Sequence, residues 1–193
     1  MNLVDCESAL KTLKSGLPII FPTDTLPAIG CLPNFSITIY EFKKRDRDKP
    51  LILMGSEQKH LIDYVHESAK EDYENLASKY WPGALTIVIP ASEKQTKILT
   101  SNDLTLGLRI PNSYMAQSLM KKTGPLLTSS ANISDFKGSI TAEGVALDFP
   151  SVKILGPIPW VKSSEKASTI IFWKKSGDWR LIREGEVLVR ELY

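Results

Sequence analysis

Apolar residues along the chain fall into two spacings, one helical and one extended. Residues 4–14 put Cys6, Ala9, Leu10 and Leu13 on one helical face, and Lys14 and Gly16 supply the stop. Compact apolar runs at 17–21, 28–32 and 50–54 predict buried strands. Residues 35–44 align Phe35, Ile39 and Phe42 as a helix, and Ser56 predicts the cap of a short helix carrying Leu61, Ile62 and Val65. The clearest stripe is Ala69, Tyr73, Leu76, Ala77 and Tyr80, broken by Trp81-Pro82-Gly83. Strands are predicted at 84–90 and 104–110, and Pro111-Asn112-Ser113 opens a helix through Leu119 that Gly124-Pro125 ends. Leu126-Leu127 starts a strand that runs into Thr128-Ser129-Ser130-Ala131-Asn132, and Thr141 caps a helix through Leu147. Short extended segments follow at 153–155, 169–173, 179–182 and 187–189. Residues 157–166 mix Pro, Ser and charge and read as a loop able to close over a site. This order predicts an α/β fold, one domain over residues 1–193, with a twisted mixed sheet, flanking helices and some antiparallel pairing near the ends.

Composition narrows the classes. The chain has 193 residues, 42% hydrophobic and 24% charged, which excludes intrinsic disorder. A chain this long buries enough surface to need no disulfide or metal staple. Cys6 and Cys31 are its two cysteines and no CxxC occurs, so neither a disulfide framework nor a structural zinc site is expected. His60 and His66 read as surface residues. The N-terminus lacks the basic start and apolar stretch of a secretory leader, and no apolar run approaches the ~20 residues needed to span a bilayer. The expectation is a soluble protein of a reducing compartment. The common phosphate-loop, dinucleotide, zinc-protease and serine-hydrolase motifs are absent from the sequence.

Charge changes the picture locally. The net of +2 is concentrated in residues 43–49, where Lys43, Lys44, Arg45, Arg47 and Lys49 outnumber Asp46 and Asp48, leaving −1 for the rest of the chain. If that segment is extended, Lys43 and Arg45 point to one side, as a grip for phosphate oxygens. A solvated helix end, where cations complement the dipole, accounts for the same residues. Arg109 interrupts the apolar strand Leu106-Gly107-Leu108-Arg109-Ile110, which is costly unless it reaches solvent, a carboxylate or an anionic ligand; Pro111 suggests a rim position. Hydroxyl clusters follow or precede apolar runs at Thr23 and Thr25, at Thr128, Ser129 and Ser130, and at Ser168 and Thr169. Ligands of open α/β sheets collect where strands end, and such hydroxyls bind phosphate or carboxylate oxygens, although they are also ordinary turn residues. Arg180 and Arg183 form a weaker pair.

Taken in order, these residues resemble the YrdC-like family of threonylcarbamoyl-adenylate synthases, from about Leu10 to Val187. Pro22-Thr23-Asp24-Thr25 looks like its PT[DE]T, Lys43-Lys44-Arg45 its KxR, and Arg47-Asp48-Lys49-Pro50-Leu51 its RDKPL. Trp81-Pro82-Gly83, Leu108-Arg109-Ile110-Pro111, Ser130-Ala131-Asn132, Ala167-Ser168-Thr169-Ile170-Ile171 and Arg183-Glu184-Gly185 match further motifs. The chain departs from the pattern at Pro27-Ala28, where the family usually has Tyr-Gly, at Asp46, where Pro is frequent, and at Asp135, where Gly is frequent. The resemblance implies a short form with a single YrdC-like domain, a twisted mixed open sheet and a cytoplasmic nucleotidyltransferase. Its implied reaction joins L-threonine, bicarbonate and ATP into threonylcarbamoyl-AMP and pyrophosphate, with Mg²⁺ carried mainly by the nucleotide. The product serves tRNA threonylcarbamoyl transferase proteins downstream. Lys43 and Arg45 are implied for phosphates and carbamate, and Thr23 and Arg109 for threonine. Thr128, Ser130, Asn132, Ser168 and Arg183 are implied for the nucleotide, with no protein metal ligand. Alternatives are an RNA-binding module using 43–49 without catalysis, or another carbamoyl transfer.

Overall fold

A computed structural model of the chain describes residues 1–93, 104–133 and 138–189. Among them runs a ten-stranded mixed sheet made of β1 (Leu3–Val4), β2 (Ile19–Phe21), β3 (Ala28–Cys31), β4 (Ile52–Met54), β5 (Leu85–Pro90), β6 (Thr105–Arg109), β7 (Leu126–Ser130), β8 (Lys153–Leu155), β9 (Thr169–Lys175) and β10 (Asp178–Arg183). Its order is β1-β8-β2-β3-β7-β4-β6-β5-β9-β10. The helices are α1 (Cys6–Lys14), α2 (Ile37–Lys43), α3 (Gln58–Leu61), α4 (Lys70–Tyr80), α5 (Tyr114–Thr123) and α6 (Ala142–Asp148). The α/β class with a mixed sheet and flanking helices is therefore as expected. Antiparallel pairing is not confined to the ends: β2, β3, β7 and β4 are successive antiparallel neighbours at the centre.

Strand alternation sorts the side chains onto two faces. On one face Ile20, Ile29, Leu127, Leu53, Leu108, Ile87 and Ile171 pack with Ile39 and Tyr40 of α2 and Tyr73, Leu76 and Ala77 of α4. On the other, Ile19, Phe21, Ala28, Leu126 and Met54 pack with Ala9 and Leu13 of α1 and Ala116, Leu119 and Met120 of α5. This second layer covers only half of its face. The remainder, over β4, β6, β5, β9 and β10, is a concave cleft of about 550 Å³.

Caps explain several helix starts. The Asp5 side chain accepts from Ser8 N, Ser113 from Ala116 N and Thr141 from Gly144 N. Lys44 adopts a left-handed conformation that ends α2, and Arg45 N bonds back to Tyr40 O.

Four expectations are corrected. Residues 3–4 start as a strand, because Leu3 and Val4 pair with Ile154 and Leu155 before Asp5 caps α1. Ser56 does not cap α3; Glu57 precedes that helix, and the Ser56 hydroxyl is buried without a partner. Helix α5 runs past Leu119 to Thr123, and Gly124 with positive φ stops it, as expected. Residues 187–189 are not a strand, because Val187 bonds through both backbone groups to the Thr169 side chain instead of to a ladder. Residues 157–166 form a loop as expected, tied down by Trp160 Nε1 to Leu155 O and Ser164 N to Asp24 O. Asp135 lies outside the described residues. Among the described residues no helix is long and apolar enough to cross a membrane.

Candidate active site

The cleft lies on the face of the sheet, not at the strand ends where the sequence reading looked for it. Its floor is the set of residues that alternation turns away from the main core. Thr105, Gly107 and Arg109 come from β6, Thr86 and Val88 from β5, Ile52 and Met54 from β4, and Ile170 and Phe172 from β9. Thr128 and Ser130 of β7 continue the same face. Gly107 keeps the middle of the floor low, since a Cβ there would touch Ile52, Thr86 and Val88 at 3.4–3.8 Å.

Arg45, Asp48 and Lys49 stand at one rim. The chain is not extended there. Lys43 is the last residue of α2, and the left-handed Lys44 separates it from Arg45, so the two cations diverge. Lys43 turns inward to 1% exposure, and its Nζ donates to Ser130 O and, at 3.3 Å, to Asn132 Oδ1. Burial, with Arg45 and Lys49 adding repulsion, lowers its pKa to about 7. Arg45 lines the cleft and folds back, its Nε donating to Lys49 O and Nη2 to Pro50 O. Ser130 Oγ donates to Asn132 Oδ1 at 2.5 Å, so Lys43, Ser130 and Asn132 form one network behind the rim. Thr128 is buried and donates to Ile52 O, which fixes its hydroxyl at the β4–β7 junction.

The opposite wall is the β9–β10 hairpin. Arg183 donates twice to Ser168 O and once to Ser168 Oγ, and Ser168 Oγ also pairs with Thr86 Oγ1 at 2.9 Å. Arg180 lies over the Phe172 ring at 5.1 Å. Asp72 of α4 holds this hairpin, accepting from Trp173 Nε1 and from Gly177 N.

Arg109 is not at an open rim, contrary to expectation; it is 2% exposed. The charge is tolerated because three partners meet it. Nε donates to Gly83 O at 3.0 Å, Nη1 to Thr25 Oγ1 at 2.8 Å and Nη2 to Asp24 Oδ1 at 2.7 Å. Burial still holds its pKa below the usual guanidinium range, with Asp24 opposing that shift. Thr23 is buried beneath this group: its hydroxyl donates to Leu26 O and accepts from Thr25 N, so it shapes the 22–26 turn and does not line the cleft.

The candidate residues therefore gather around one cleft, with Thr23, Lys43 and Asn132 set behind its surface. Asp24 and Thr86 were missed. A threonine inside the apolar run of β5 was the available signal for Thr86, and the need of Arg109 for a carboxylate was the signal for Asp24. Among the described residues no three His, Cys, Asp or Glu side chains gather into a metal site, and Asp48 is the only acidic side chain lining the cleft.

A sequence profile of the Sua5/YciO/YrdC family, described as telomere recombination, matches residues 11–185. The threonylcarbamoyl-AMP synthase of Photorhabdus laumondii is 32% identical over 148 residues, covering 74% of this chain and 78% of that one. The threonylcarbamoyl-AMP synthase of Bos taurus is 29% identical over 187 residues, 92% of this chain and 67% of the relative. Among solved structures, Pyrococcus abyssi Sua5 complexed with L-threonine superposes with a TM-score of 0.87 at 27% identity, over 100% of this chain and 60% of that chain.

Proposed function

Because the chain belongs to the Sua5/YciO/YrdC family, we propose that it is a threonylcarbamoyl-AMP synthase, a nucleotidyltransferase acting on L-threonine, bicarbonate and ATP. The observation that carries the reading is the half-covered sheet face, lined by cations and hydroxyls at both walls and ending at a buried arginine.

The ammonium of threonine and bicarbonate give the carbamate, releasing water and one proton. A carbamate oxygen then attacks the α-phosphorus of ATP; the new P–O bond forms as the bond to the bridging oxygen breaks, and pyrophosphate leaves. Both steps concentrate negative charge, so the site needs preorganised donors more than a strong base. Arg45 and Lys43 act on the phosphates and carbamate, Lys43 also through the Ser130–Asn132 network. Thr128, Ser130 and Asn132 line the reacting phosphate, and Ser168 and Arg183 reach the nucleotide from the hairpin. Arg109 takes the carboxylate of threonine, with Thr23 ordering the turn that presents it. Mg²⁺ enters with the triphosphate, since the residues lining the cleft offer no carboxylate cluster to hold it. The adenylate is then consumed by proteins that transfer the threonylcarbamoyl group to tRNA.

The test is incubation with ATP, bicarbonate and L-threonine and mass detection of the adenylate, which requires threonine but no RNA. Arg45→Ala is expected to lower pyrophosphate release by about a hundredfold and Arg109→Ala to weaken threonine binding by at least about tenfold. Adenylate formation that ignores the omission of threonine overturns the reading.

A further inference from the structure

Thr86 is a hydroxyl within the apolar run of β5 that the proposed chemistry leaves unused. It is 0% exposed, yet it belongs to the cleft floor. Its methyl is turned toward β6, 3.5 Å from where a Cβ on Gly107 would lie. Its Oγ1 reaches the other way, to Ser168 Oγ at 2.9 Å, and has no other hydrogen-bond partner among the described residues. The bond therefore ties the floor to the base of the β9–β10 hairpin.

Ser168 Oγ has a second neighbour. Arg183 Nη2 approaches it at 3.1 Å while Nε and Nη2 both donate to Ser168 O. A guanidinium can only donate, so Arg183 takes one lone pair of the hydroxyl. The direction of the Thr86–Ser168 bond then decides where the Ser168 proton goes. If Ser168 donated to Thr86, the Thr86 proton would be sealed in without an acceptor, which is costly. If Thr86 donates, both lone pairs of Ser168 Oγ are filled, and its proton turns into the cleft that Ser168 lines. Only this second arrangement leaves every hydrogen paired once an acceptor enters.

We propose that Thr86 is a positioning residue: by donating to Ser168 it commits the Ser168 hydroxyl to donate into the cleft, to an oxygen of a phosphate or a carboxylate. An anion is the acceptor that fits, because Arg183 stands beside the same hydroxyl with no carboxylate partner among the described residues. A hydroxyl that already accepts two hydrogen bonds is also polarised into a better donor. The identity of the anion rests on the synthase reading; the direction of the proton does not.

Isothermal titration of the full chain with ATP, L-threonine and pyrophosphate, each alone, tests this relay in a double-mutant cycle. Thr86→Val removes the donor at nearly the same shape and is expected to weaken binding of the anion that Ser168 meets by about tenfold. A loss for ATP and pyrophosphate identifies a phosphate oxygen, and a loss for threonine a carboxylate. Ser168→Ala is expected to lose at least as much. In the Ser168→Ala background, Thr86→Val is expected to add less than about twofold, because the hydroxyl it orients is gone. Thr86→Ser restores the donor and is expected to bind within about threefold of wild type. Losses that add in full overturn the relay, as does a Thr86→Val protein that binds all three ligands like wild type. If thermal unfolding shows that Thr86→Val does not fold, Thr86→Ala against Thr86→Ser decides, since both lack the methyl and differ in the hydroxyl; equal affinities there overturn the relay. A wild type that binds pyrophosphate but makes no threonine-dependent adenylate strikes the synthase reading and leaves the relay to the pyrophosphate titrations. A wild type that binds none of the three overturns both.

Discussion

Lys43 is a cation set where water hardly reaches it, and its proton is correspondingly loose. In the unfolded chain the amine has an ordinary lysine value, 10.5, whereas in the fold it falls to about 7. The unfolded state therefore binds more protons between those two values. Stability rises as pH climbs from about 7 to 10.5, and the penalty of burying the ammonium is complete below about 7. Lys43→Met has no such titration. Its melting temperature relative to wild type is expected to be most favourable near pH 6 and to decline steadily toward pH 10. A difference that stays flat across this range removes the buried-amine account. Arg109 contrasts with Lys43 because its guanidinium cannot shed its proton; it needs Asp24, Thr25 and the Gly83 carbonyl instead.

At the scale of elements, the β9–β10 hairpin and the segment after it depend on one hydroxyl. Thr169 Oγ1 donates to Val187 O at 2.6 Å and accepts from Gly185 N and Val187 N at 3.1 Å. That holds 185–187 so close that a Cβ on Gly185 would lie 2.3 Å from Ala167 O, which explains the glycine there. Thr169→Val keeps the shape but leaves these backbone groups without their partner. It is expected to cost about 1–3 kcal/mol in denaturant unfolding. It is also expected to raise the KM for ATP more than that for threonine, because the neighbouring Ser168 belongs to the hairpin wall. Equal effects on both constants would place the damage elsewhere.

At the scale of the molecule, function follows from unequal coverage of one sheet. α2 and α4 cover one face, while α1 and α5 cover half of the other and leave the cleft. Gly107 sits at the centre of that floor with room for a Cβ at ordinary contact distances. Gly107→Leu is expected to leave unfolding free energy within about 1 kcal/mol, since a strand glycine contributes little packing. Its side chain projects into the cleft proposed to hold the substrates, so kcat/KM is expected to fall by roughly a hundredfold or more. A stable variant with unchanged turnover moves the reaction out of the cleft.

The strands, caps and chemistry-bearing residues were legible in the linear pattern. Period-two alternation in Leu106-Gly107-Leu108-Arg109 already divides the strand into a packed side and a side bearing Gly107 and Arg109, and the hydroxyl clusters stand out within apolar runs. Ser113 and Thr141 were readable as caps because capping is local. Alternation, however, shows that two faces differ without showing what covers each. The open cleft was decided by α1 and α5 stopping short of β5, β9 and β10. Pairing across the chain was equally out of reach: Asp24 meets Arg109 across 85 positions, and Lys43 meets Ser130 across 87. Both meetings depend on a strand order that does not follow the sequence. Local stereochemistry and periodicity set which residues face where, but only the packed sheet brings a buried cation to the one carboxylate that lets it stay.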